Sequence, residues 1–167
     1  MNHYKKKLPA IKAFAFDVDG VLTDGSVQVS DRGDLLRTYN AKDGLAIRMA
    51  IDAGYPIAII SGGASETICR RFTMLGIREE DIYLRSRIKT PDLLDFCRKY
   101  DLQPAEVAFI GDDLPDVAPM RCAGLSCCPS DAVPEVLAVA EYISPCRGGA
   151  GCVRDIIEQV LKIQQRW

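Results

Sequence analysis

Three short runs are apolar almost without interruption: residues 11–16 (IKAFAF), 56–60 (PIAII) and 106–110 (EVAFI). Each ends in turn chemistry, at Asp17, Ser61 and Gly111-Asp112, and an amphipathic stretch follows. A strand wetted on one face alternates apolar and polar side chains, so a run without alternation is buried on both faces. Strand, turn and helix in repetition predict an α/β fold, a Rossmann-like parallel sheet with helices on both faces. Fainter apolar pieces at 81–84 and 141–143 read as further strands. Helices are expected over about 43–53, 64–75, 90–100, 113–122, 133–140 and 152–165. The last puts Val153, Ile156, Ile157, Val160 and Leu161 on one face, the 3.6-residue pattern of a docked helix. Residues 25–40 (GSVQVSDRGDLLRTYN) break the rhythm. Val27 and Val29 alternate with polar partners and Asp31-Arg32-Gly33-Asp34 supplies a turn, which predicts a β-hairpin projecting from the sheet.

No linker, repeat or low-complexity tract interrupts the 167 residues, so one domain over 1–167 is expected, with a C-terminal segment at about 146–167. A net charge of −2 carries no footprint for nucleic acid or an anionic membrane. Lys5-Lys6-Lys7 reads as a solvated N-terminal arm. No stretch is long and apolar enough to span a bilayer, and no apolar segment follows those lysines as in a secretory signal. The expected location is cytoplasmic. Seven cysteines, an odd number without a CxxC, fit free thiols in a reducing compartment. The single histidine, His3, lies near the chain start, which removes Ser-His-Asp and Cys-His mechanisms and leaves acid–base work to carboxylates or lysine.

The residues able to do chemistry follow the predicted strands, where an open parallel sheet places its ligand crevice. Asp17 and Asp19 lie in DVDGVLTDG, Ser61 in IISGG, and Asp112, Asp113 and Asp116 in IGDDLPD; Lys89 opens a helix. An anionic nucleophile meeting an anionic phosphate needs a cation and fixed donors to offset repulsion. Carboxylates are hard oxygen ligands suited to Mg2+, and lysine with a serine hydroxyl can hold phosphate oxygens. Gly20, Gly62 and Gly63 let backbone N–H groups approach an anion. A lone DxD is common in turns, and Ser61 or Lys89 alone reads as a helix cap or a surface charge; the ordered set favours a phosphate-handling site.

DVDGVLTDG, Ser61, Lys89 and GDDLPD resemble the four motifs of the haloacid dehalogenase superfamily. The resemblance implies a phosphohydrolase in which Asp17 attacks phosphorus and Asp19 protonates the leaving alcohol, then activates the water. It implies Mg2+ held by Asp17, the backbone carbonyl of Asp19 and Asp112, with Asp113 and Asp116 supporting them and Asp116 the closer partner. Ser61, Gly62 and Lys89 would bind the phosphoryl group, and Lys89 would restrain Asp17. Together with NAKDG, TMLGI and RGGAGCVRD, these motifs resemble, over nearly the whole chain, the 3-deoxy-D-manno-octulosonate 8-phosphate phosphatases. That likeness implies a chain without an inserted cap domain, a homotetramer, and a role in making an acidic sugar of the bacterial outer envelope. A neighbouring subunit's hairpin and C-terminal tail would cover the site, with Gly148-Gly149-Ala150-Gly151 as the tail element, or else as a loop leading into the last helix. It also implies sugar-acid contacts from Asn40, Lys42, Asp43, Gly44, Arg48 and Arg71.

Two positions depart from the pattern: many relatives carry arginine where this chain has Gly63 and Ala150. An eight-carbon sugar-acid phosphate is the first expectation and a nine-carbon one the second. A phosphoacceptor signalling domain, or a catalytically quiet regulatory one, belongs to a different class. Receiver domains usually carry the acceptor after a middle strand, however, whereas Asp17 follows the first.

Overall fold

The sheet follows from the apolar runs. β1 (Ala13–Phe16), β4 (Ile57–Ile60) and β6 (Val107–Ile110) are buried at every residue. β5 (Ile82–Tyr83), β7 (Leu125–Cys128) and β8 (Tyr142–Ile143) complete six parallel strands in the order β5-β4-β1-β6-β7-β8. Phe14 is level with Ile57 on one side and Ala108 on the other. The computed structural model describes residues 3–167.

Period-two alternation sends successive side chains to opposite faces. Phe14, Phe16, Ile57, Ile59, Ala108 and Ile110 share a core with α1 (Ala41–Asp52), α2 (Glu66–Thr73) and α6 (Cys152–Ile163). Ala13, Ala15, Ala58, Ile60, Val107 and Phe109 face α3 (Thr90–Lys99), α4 (Val117–Cys122) and α5 (Pro134–Leu137). All five residues expected on the buried face of α6 are at most 1% exposed.

The hairpin forms, as β2 (Gln28–Val29) against β3 (Leu35–Leu36), and stands away from the sheet. Val27, Val29, Leu35 and Leu36 are all exposed.

Several expectations need correction. β7 (LSCC) was not anticipated, because small residues and Ser126 dilute its apolar signal. The helix expected over 113–122 is a 3-10 turn, Leu114–Asp116, followed by the short α4. The helix expected over 133–140 is the single turn of α5. Lys5 and Lys6 are solvent-exposed as expected, but the segment that carries them is docked: Tyr4 packs on the Tyr142 ring, Leu8 is buried and Lys7 pairs with Glu141. Gly148–Gly151 forms a loop leading into α6 and lies against its own chain's turn after β1. The Gly149 N–H donates to the Val21 carbonyl at 2.9 Å, and a Cβ on Gly148 would fall 1.9 Å from the Gly20 carbonyl oxygen.

Candidate active site

Chain direction across the sheet reverses at β1: β4 and β5 lie to one side, β6 to β8 to the other. The crevice beyond the strand ends opens at such a reversal, and there Asp17 leaves β1 and Asp112 follows β6.

Lys89, the residue before α3, is 3% exposed and reaches both Asp17 Oδ1 (2.8 Å) and Asp116 Oδ1 (2.7 Å). Burial disfavours its charge, but the two carboxylates outweigh that and hold its pKa above the usual lysine value. Asp116 is fully buried; its other oxygen accepts the Asp112 and Asp113 N–H groups at 3.1 and 3.3 Å. Asp116 therefore has both oxygens engaged and props the loop. A Cβ on Gly111 would fall 2.3 Å from the Asp116 Cβ, so only glycine lets this carboxylate fold back.

Asp17, Asp112 and Asp116 each place a carboxylate oxygen within 4.8 Å of the others. Such crowding resists ionisation. Burial, then the Asp116 charge, raises Asp17 to about 7 against the pull of Lys89. Burial, then Asp17 and Asp116, raises Asp112 to about 8. Asp112 Oδ1 is buried with no hydrogen-bond partner. Gly20, at φ +92°, leaves room for this carboxylate, since a Cβ there would lie 2.0 Å from Asp112 Oδ2. An orphaned buried oxygen within a cluster of carboxylates fits a divalent cation with hard oxygen preferences.

A cavity of about 340 Å³ opens beside the cluster, lined among others by Asp17, Asp19, Ser61, Gly62, Gly63 and Lys89. Ser61, buried after β4, accepts the Gly63 N–H through Oγ at 3.1 Å. Asp113 also lines the cavity, exposed, and its Oδ1 accepts the Leu114 N–H at 2.7 Å. The set predicted around the strand ends is thus brought together.

Arg37 was not anticipated. It follows β3, its side chain is 4% exposed, and it holds Asp19 bidentately, Nε to Oδ1 at 2.6 Å and Nη2 to Oδ2 at 3.0 Å. The Asp19 hydrogen bond keeps its guanidinium charged, with pKa above the ordinary value. Gly63 makes room for it: a Cβ there would stand 3.3 Å from Arg37 Nη2. A polar residue after an exposed hairpin carries no sequence signal for a partner 18 residues earlier.

The expected sugar contacts lie outside the lining of this cavity. Asn40 caps α1, accepting the Lys42 N–H at 2.8 Å, and donates to the Gly149 carbonyl. Asp43 is 1% exposed and accepts the Arg154 N–H at 2.8 Å, supplying to α6 the cap that Gly151 lacks. Burial raises its pKa. Gly44 packs under Arg71, whose guanidinium lies over the Tyr39 ring at 5.7 Å. Arg48 donates to the Met74 carbonyl at the end of α2. Lys42 is exposed, and none of the six lines the cavity. Polar groups at helix ends serve caps as readily as ligands, and Asn40 and Asp43 are engaged as caps here.

A family model described as haloacid dehalogenase-like hydrolase matches residues 80–154. The 3-deoxy-D-manno-octulosonate 8-phosphate phosphatase of Salmonella typhi is 34% identical over 98% of this chain and 86% of its own length. The Yersinia pestis phosphatase of that name superposes with a TM-score of 0.94 at 32% identity, over 98% of this chain and 87% of that one. The Moraxella catarrhalis enzyme, solved with a magnesium ion, a phosphate ion and a KDO molecule, gives 0.94 at 34% identity, over 99% and 94%.

Proposed function

The chain belongs to the 3-deoxy-D-manno-octulosonate 8-phosphate phosphatase family of haloacid dehalogenase-like hydrolases, and from that membership we infer that it hydrolyses this sugar phosphate to the free sugar acid and inorganic phosphate. The observation that carries the reading is the Asp17–Lys89–Asp116 array beside the orphaned Asp112 oxygen, at the mouth of the cavity.

Asp17 is the nucleophile: Lys89 fixes Oδ1 and leaves the other oxygen to attack phosphorus. The Asp17 O–P bond forms as the P–O bond to the sugar breaks, and Asp19 gives the leaving oxygen its proton. Asp19 then takes a proton from the water that attacks the aspartyl-phosphate, which frees phosphate and restores the Asp17 carboxylate. Arg37 orients Asp19, and when Asp19 turns one oxygen to the substrate the other stays on the guanidinium. Ser61, the Gly62 N–H and Lys89 receive the phosphoryl oxygens. Mg2+ would be held by Asp17, Asp112 and the Asp19 carbonyl, where it offsets the repulsion between carboxylate and phosphate.

The active form is a homotetramer in which a neighbouring subunit covers the cavity. In support, Val27, Val29, Leu35 and Leu36 leave the hairpin apolar and exposed, and Ile88 and Leu114 form an exposed apolar rim beside cavity residues. Among the described residues no helix is long and apolar enough to cross a membrane. Seven unpaired thiols support a cytoplasmic location.

Phosphate release from a panel of eight-carbon and nine-carbon 2-keto-3-deoxy acid phosphates and hexose phosphates, with and without Mg2+, tests the reading. Mg2+-dependent preference for the eight-carbon acid is expected. Preference for the nine-carbon acid or a neutral sugar discards the substrate; no release from any discards the reaction.

A further inference from the structure

The substrate carries two anionic groups, a phosphate and a carboxylate, and the cations of the site are mostly committed. Lys89 is held by Asp17 and Asp116, and Arg37 by Asp19. Lys42, Arg48 and Arg71 do not line the cavity. One cavity-lining cation remains: Arg87, whose guanidinium is exposed and forms no ion pair or side-chain hydrogen bond among the described residues.

Its placement is fixed by the backbone. From the end of β5, residues 83–86 are tied to the Ser61 loop: the Ser61 N–H donates to the Tyr83 carbonyl, the Arg85 N–H to the Gly63 carbonyl, and the Ser86 N–H to the Ser61 carbonyl, each at 2.9 Å. Arg85 adopts φ +58°, the left-handed region that a side chain disfavours. The chain thereby turns at once, with buried Ser86 donating to Asp92 of α3 and buried Lys89 preceding that helix. Arg87 stands between these two anchors and lines the same wall as Lys89.

We propose that Arg87 is the specificity residue of this enzyme, the cation that receives the sugar-acid carboxylate while Ser61 and Lys89 hold the phosphate. Its planar fork matches a carboxylate bidentately. The Gly63 position is filled by the Asp19-bound Arg37, which leaves that task to the loop that carries Arg87. The proposal rests on the sugar-acid reading of the substrate.

The test compares kcat/KM for 3-deoxy-D-manno-octulosonate 8-phosphate with that for its analogue in which the carboxyl is reduced to an alcohol. Wild type, Arg87→Ala and Arg87→Lys are assayed in the presence of Mg2+. The acid-to-alcohol selectivity is expected to fall about 10- to 100-fold in Arg87→Ala, the worth of one or two hydrogen bonds to a charged group. The loss should sit in KM, and Arg87→Lys should recover part of it. Selectivity unchanged in Arg87→Ala overturns the inference and leaves the substrate standing. Equal loss on both compounds also overturns it, by making Arg87 a phosphate contact. A wild type without preference for the acid removes the inference together with the substrate reading.

Discussion

Replacing Asp116 by asparagine separates the propping carboxylate from its neighbours. The side chain is fully buried and accepts three hydrogen bonds, from Lys89 Nζ at 2.7 Å, Asp112 N at 3.1 Å and Asp113 N at 3.3 Å. An amide has one accepting end. With its oxygen on Lys89, its NH2 faces two backbone donors; flipped, the NH2 faces the ammonium. Breaking a buried ion pair costs roughly 3–5 kcal/mol, and relief of repulsion on Asp17 and Asp112 puts the net near the low end, about 3 kcal/mol. For a chain of this size that lowers Tm by about 6–12 °C. Thermal and urea unfolding in EDTA measures it, beside Asp113→Asn as control. Asp113 is exposed and caps one N–H, so its change should stay below about 1 kcal/mol. An Asp116→Asn loss below about 1 kcal/mol would refute the assignment of Asp116 as the buried prop.

Asp17 and Asp112 bind protons more tightly folded than unfolded, with pKa raised to about 7 and about 8. The metal-free protein should therefore lose stability as pH rises from about 4 to about 8. Saturating Mg2+ should remove that slope, because it binds the ionised forms; melting curves with EDTA and with Mg2+ at each pH decide it, and parallel curves would count against a carboxylate metal site. Gly20→Ala, at φ +92° with a Cβ 2.0 Å from Asp112 Oδ2, should displace that carboxylate and abolish the Mg2+-induced rise in Tm. Asp43→Ala should lower stability by about 1–2 kcal/mol through the lost α6 cap and leave KM within about 3-fold; a 10-fold rise in KM would return Asp43 to the substrate site.

What was legible in the sequence was local. IKAFAF, PIAII and EVAFI announce strands buried on both faces, and Asp17 and Asp19, Ser61, and Asp112 and Asp113 lie one to three residues beyond them. LSCC was illegible as a strand because its small and polar residues dilute the apolar signal; backbone pairing with β6 places Ser126 in the sheet, and its buried hydroxyl is satisfied by the Val139 carbonyl. Arg37 and Arg87 were illegible for a related reason: an arginine in a polar segment gains meaning only from what the fold sets beside it, Asp19 for one and the cavity wall for the other. Asn40, Asp43 and Arg48 make caps and helix-end bonds that the sequence did not announce, because it does not distinguish a polar side chain that caps a helix from one that binds a ligand.

The decisive measurement is the covalent one. Enzyme turning over 3-deoxy-D-manno-octulosonate 8-phosphate with Mg2+ is quenched, reduced with borohydride, which converts an aspartyl phosphate to homoserine, and digested for peptide mass analysis. Homoserine at position 17, absent without substrate and absent in Asp17→Asn along with phosphate release, is the expected result. Steady turnover with no homoserine there, or with the modification on another carboxylate, would contradict Asp17 as the phosphoryl acceptor.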